Sequence, residues 1–207
     1  MNVEQVVVDV HGVELPGELA VPVPAAGLVI FAHGSDSSRQ SPRNKYVAHV
    51  LNRAGIATLL FDLLTPAEAQ DRRNVFDIPA LADRLTAAHE WAGRSDLGDL
   101  PVGYFGASTG GAAALWSAGS GSGVHAVVSR GGRVDLAGVR LTGVTAPTLL
   151  VVGELDTDVL RLNRDAQRSL RCPNRLEIVA NATHLFTEPG TLERVADLAR
   201  DWFRTHL

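Results

Sequence analysis

Pro101-Val102-Gly103-Tyr104-Phe105-Gly106-Ala107-Ser108-Thr109-Gly110-Gly111, running on into Ala112–Trp116, decides how the rest of this chain is read. Val102–Phe105 is a short apolar run without alternation, the pattern of a strand buried on both faces. The alanine-rich segment after Gly111 favours helix. Between the two lies G-x-S-x-G, at Gly106, Ser108 and Gly110. In that context the serine sits on a strained strand-to-helix turn that lifts its Oγ above the sheet. The flanking glycines leave room for strand and helix backbones to approach closely. The N-terminus of the new helix favours developing negative charge. A phosphate loop is excluded, because Gly111 is followed by alanine and not by Lys-Ser/Thr. A dinucleotide fingerprint fails too, since these glycines lie mid-chain and not after the first strand.

Working outward, three more runs of the same kind are Leu28–Ala32, Ala57–Phe61 and Thr148–Val152, with weaker ones at 125–129 and 176–180. Helical stripes fall between them. Tyr46, Val47, Val50, Leu51 and Ala54 share a face ended by Gly55; Ile78, Leu81, Leu85, Ala88 and Trp91 share another, with Asp77 as N-cap. Val159, Leu162, Ala166 and Leu170 form a third, and Leu192, Val195, Leu198 and Trp202 the last. Ahead of all this, Val6, Val8 and Val10 alternate with polar residues up to His11-Gly12, and Val13–Val21 follows, interrupted by Pro16-Gly17. That reads as an antiparallel hairpin, placed partly at an edge by its proline. The predicted fold is α/β: a mostly parallel sheet with an N-terminal antiparallel hairpin, helices on both faces and no cap domain.

The 207 residues suit a single domain over 1–207, and Gly119-Ser120-Gly121-Ser122-Gly123 reads as a loop within it. A net charge of −4 argues against a nucleic-acid partner. Cys172 is the only cysteine, which rules out an internal disulfide and cysteine-rich zinc sites. The first residues do not read as a signal peptide, and no stretch reaches the ~20 apolar residues of a membrane span. The expectation is a cytoplasmic protein with no membrane partner, as monomer or homodimer.

A serine nucleophile needs a base and a group to orient it, ordered in this architecture as Ser, acid, His. The strand ending at Val152 leads into Gly153-Glu154-Leu155-Asp156-Thr157-Asp158. Asp156 is chosen as the acid, with Asp158 read as the cap of the following helix and Glu154 as facing elsewhere. Among seven histidines, His184 alone falls in a loop after a late strand and beyond the acid; His33 is read as shaping the loop after the first parallel strand. The backbone N–H groups of Thr109 and Ser35 are the expected oxyanion donors.

His33-Gly34-Ser35, Gly106–Gly111, Gly153–Asp156 and Thr183-His184 together resemble the α/β-hydrolase superfamily, and within it the dienelactone hydrolase-like group, over nearly the whole chain. The resemblance implies ester or lactone hydrolysis through an acyl-enzyme, with no metal and no organic cofactor. Dienelactone hydrolases proper carry cysteine at the elbow where this chain has Ser108. The dienelactone substrate therefore does not transfer, and a small-molecule carboxylic ester is the expected partner. An acyltransferase or thioesterase could use the same residues, and a non-catalytic ligand-binding scaffold is the rival outside enzymes.

The segment between Ser129 and Pro147 is too short for a lid domain, which predicts an open site for small acyl groups. Arg130 and Arg133 lie where a strand ends, and Arg130 is a candidate for binding a substrate carboxylate or phosphate. The competing reading ties either guanidinium to loop carbonyls or to Asp135. Metal-dependent hydrolysis fits poorly, since His89-Glu90 lacks a second histidine at ligand spacing.

Overall fold

The computed structural model describes residues 3–207 as one eight-stranded sheet flanked by helices. Along the chain come β1 (Val3–Val10), β2 (Val13–Ala20), β3 (Leu28–Ala32), α1 (Pro42–Arg53), β4 (Ala57–Phe61), α2 (Arg72–Val75) and α3 (Ile78–Gly93). They are followed by β5 (Val102–Ala107), α4 (Thr109–Ala118), β6 (Ala126–Arg130), β7 (Thr148–Gly153), α5 (Thr157–Ser169), β8 (Asn174–Val179) and α6 (Thr191–His206). The sheet order is β1-β2-β4-β3-β5-β6-β7-β8. Strands β3 to β8 are mutually parallel, while β1 and β2 run antiparallel.

The continuous apolar runs divide between two cores because successive side chains point to opposite faces. Leu28, Ile30 and Ala32 of β3 pack with Leu81 and Leu85 of α3 and Ala113 of α4. Val29 and Phe31 of the same strand pack with Val47 and Leu51 of α1 and with Val195 and Phe203 of α6. A strand with no polar face thus needs helices on both sides. Asp77 caps α3 as expected, accepting from the Ala80 N–H at 3.1 Å.

The hairpin turn has positive φ at both His11 (52°) and Gly12 (85°), the requirement of a two-residue primed turn. Its placement is partly at an edge, as the sequence suggests. β1 is the edge, and β2 is paired on both sides from Gly17 onward. Pro16 is tolerated because it lies one residue before the β4 pairing begins. Its carbonyl still accepts from the Asp62 N–H at 3.1 Å, and the N–H it lacks would fall beyond the end of β4.

Residues 131–147 hold only 3₁₀ turns over Val134–Gly143, packed on α4 and α5, so no cap is inserted there. Among the described residues no helix is long and apolar enough to cross a membrane.

Candidate active site

The parallel strands bring five loops to one sheet edge: those after β3 (Gly34, Ser35), β5 (Ser108), β6 (Gly131), β7 (Asp156) and β8 (His184). Ligand sites in open α/β sheets form at this edge.

Ser108 adopts φ 52° and ψ −120°, a conformation that L-residues rarely take. The surrounding glycines make it attainable. A Cβ on Gly106 would stand 2.6 Å from the Gly111 Cα, and one on Gly110 would overlap the Ala32 carbonyl. The elbow is also tied to the next loop: the Ser108 N–H donates to the Arg130 carbonyl (3.2 Å), and the Ser108 carbonyl accepts from Arg133 N–H (3.0 Å). Backbone strain is held by backbone bonds, which leaves the hydroxyl uncommitted.

Asp156 Oδ2 accepts from His184 Nδ1 at 2.6 Å. With that nitrogen protonated, Nε2 keeps its lone pair. The loops that carry the two residues are laced together. Leu155 N–H donates to Ala182 O (3.0 Å), Glu154 N–H to Val179 O (2.9 Å), and Asn181 N–H to Glu154 Oε2 (2.9 Å). Gly153 permits this approach, since a Cβ there would lie 2.8 Å from the Thr183 carbonyl oxygen. Glu154 therefore serves the lacing. Asp158 departs from its expected role: Asp156 occupies the N-cap position of α5, without a capping bond from its side chain, and Asp158 lies inside the first turn. The carboxylate in the better capping place is held by the histidine.

His33 is a bridge. Its Nδ1–H donates to the Gly34 carbonyl (3.0 Å), and its Nε2 accepts the Leu63 N–H (3.0 Å). Burial pushes its pKa below the usual histidine value, so the neutral ring is the form that holds the loop carrying Ser35. Thr109 is the first residue of α4, where an N–H has no intrahelical acceptor.

Gly34, Ser35, Ser108, Arg130, Arg43 and His184 line a cavity of about 120 Å³. A second of about 160 Å³ shares Gly34 and Ser35 with it and is walled by Leu63, Leu64, Val75, Leu81 and Thr109. Ser108 thus has a basic, polar space beside it and an apolar one next door. The two arginines singled out from sequence part company. Arg133 makes a two-pronged ion pair with Asp135 (3.0 and 2.9 Å), the structural alternative. Arg130 is buried at 7% exposure, and its Nε and Nη1 have no partner among the described residues. Desolvation first, and then the charge of Arg43, pull its pKa down to about 10. Arg43 was not legible beforehand, since it reads as an ordinary residue at a helix start. Cys172 sits beside Thr148 at the start of β7, the far edge of the sheet.

No family model matches the chain. A crystal structure of a dienelactone hydrolase from Anabaena variabilis superposes with a TM-score of 0.97, at 52% identity over 100% of this chain and 98% of that one. The chain belongs to the dienelactone hydrolase family. Est1E from Butyrivibrio proteoclasticus (TM-score 0.82, 16% identity, 97% and 98% coverage) shares the fold. Proteins from two Mycobacterium tuberculosis strains, provisionally named phosphoribosyl transferases, are 57% identical over 206 residues. That match takes in 99% of this chain and 46% of theirs, so the chain spans about half the length of the curated relatives it matches. Family membership and fold together make this chain an α/β-hydrolase.

Proposed function

We propose that residues 1–207 form one domain, a serine hydrolase that cleaves small carboxylic esters or lactones through an acyl-enzyme on Ser108. The observation that carries this reading is the 2.6 Å bond from His184 Nδ1 to Asp156, on a ring that lines the same cavity as Ser108. An alcohol is a weak nucleophile, and a histidine fixed by a carboxylate is the usual way to activate one. Ser108 Oγ attacks the ester carbon as His184 Nε2 takes its proton. The carbonyl oxygen becomes an oxyanion, met by the N–H groups of Ser35 and Thr109 at the start of α4. Collapse breaks the bond to the leaving alkoxide, which receives the proton from His184. Water then repeats the cycle on the acyl-enzyme and releases the acid. Asp156 keeps the proton on Nδ1 and stabilises the imidazolium that forms.

The name of the longer mycobacterial relatives describes those proteins and is not carried over, because the residues gathered here are those of acyl transfer to water. The test is covalent labelling. A fluorophosphonate should modify the wild-type chain once, at Ser108, and leave Ser108→Ala unlabelled and inactive toward 4-nitrophenyl acetate. Wild-type turnover in the alanine variant would sink the proposal.

A further inference from the structure

Hydrolysis of a neutral ester gives Arg130 nothing to do, yet its position is a costly one. A guanidinium buried without a counter-ion is strongly disfavoured, and a second cation beside it makes matters worse. Among the described residues its buried Nε and Nη1 find no acceptor, so part of its hydrogen-bonding capacity is unmet. Arg43, in the first turn of α1, also leaves a buried Nε without a partner. That turn holds no acidic residue, so the dipole of the 12-residue helix adds to the positive potential. Ser35 and Ser37 line the same cavity. The acidic group on its rim is Asp36, which is exposed and is not among the charges acting on Arg130.

We propose that Arg43 and Arg130 hold a phosphate group carried by the ester substrate, so that the chain hydrolyses carboxylic esters of phosphorylated alcohols or acids. A carboxylate offers one charge and two coplanar oxygens. A phosphate monoester offers a charge of about −1.5 to −2 and three acceptor oxygens, which matches two neighbouring cations where a single carboxylate would neutralise only one. The identity of the bond cleaved rests on the serine-hydrolase proposal; the anion site does not.

Calorimetric titration with inorganic phosphate and with acetate, at matched ionic strength, tests the site directly. Phosphate should bind the wild type and Ser108→Ala equally, bind Arg130→Gln and Arg43→Gln at least tenfold more weakly, and outbind acetate at least tenfold. Arg130→Lys should recover only part of the loss, since it restores the charge without the planar guanidinium and its several donors. Arg43→Gln lies at a helix start and keeps the test alive if Arg130→Gln does not fold. In kinetics, kcat/KM for 2-acetoxyethyl phosphate should exceed that for 2-methoxyethyl acetate at least tenfold, and Arg130→Gln should bring the ratio toward one. Acetate binding as well as phosphate, or phosphate binding indifferent to both arginines, overturns the proposal. Inactive Ser108→Ala together with no phosphate binding anywhere would overturn the anion site alone and leave the hydrolase standing.

Discussion

Replacing Arg130 by methionine should make the protein more stable. The side chain is 7% exposed, and no carboxylate offsets its charge. Burial, and then the charge of Arg43, pull its pKa well below the ordinary arginine value, down to about 10. Since each tenfold change in proton affinity is worth about 1.4 kcal/mol, the charged form is disfavoured there by about 3 kcal/mol relative to water. Methionine keeps an unbranched stem of similar reach and removes the ion. Exchanging buried ions for apolar side chains typically gains about 1–4 kcal/mol. For a chain of this size each kcal/mol moves Tm by about 2–4 °C, so a rise of about 5 °C is expected. Calorimetric melting in a chloride buffer free of phosphate reads it. Adding phosphate at ten times its dissociation constant should raise the wild-type Tm by about 1.4 kcal/mol worth of stability and leave Arg130→Met unmoved. A variant that melts several degrees below wild type in the phosphate-free buffer would refute the reasoning, because Arg130 would then be a loop anchor.

Asp156→Asn should lower kcat by about 10⁴, because an amide favours the wrong imidazole tautomer, while Asp158→Asn should change it little; steady-state kinetics showing the reverse order would move the acid to Asp158. Gly110→Ala should abolish soluble folded protein, since its Cβ meets the backbone carbonyls of Ala32 and His33, and a normal circular dichroism melt would contradict that. Burial lowers the pKa of both His33 and His89, so the unfolded chain takes up protons first as pH falls. Their contribution is complete above about pH 6.5, the free-histidine value, and is lost on acidification below it. Tm should therefore fall between pH 7 and 5.5, with a shallower slope in His33→Asn, and a flat wild-type profile would count against this account.

The parts of the fold legible in the sequence are those governed by short-range rules. Unalternating runs such as Leu28–Ala32 can be buried only on both faces, and the glycines around Ser108 fit few turns other than an elbow. Pro16 marks a partial edge, as a proline in a strand should, but which side is open depends on which strands meet: β4 ends one residue too early to need that N–H. Asp156 and His184 could be named from their places after β7 and β8. The lacing of their loops could not, because it depends on the register between segments about 25 or more residues apart in the chain. The same holds for Arg43, whose meaning comes from Arg130, while nothing near it in the chain points there.

The elbow has a consequence for how the chemistry can change by mutation. Its unusual backbone is fixed by glycines at 106, 110 and 111 and by main-chain bonds to Arg130 and Arg133, none of which involves the serine hydroxyl. The turn is thereby held independently of the atom that the side chain at 108 carries. Exchanging that oxygen for sulfur takes one codon change and leaves every one of these supports in place. The chemistry of the side chain at position 108 is open to selection, while its placement is not.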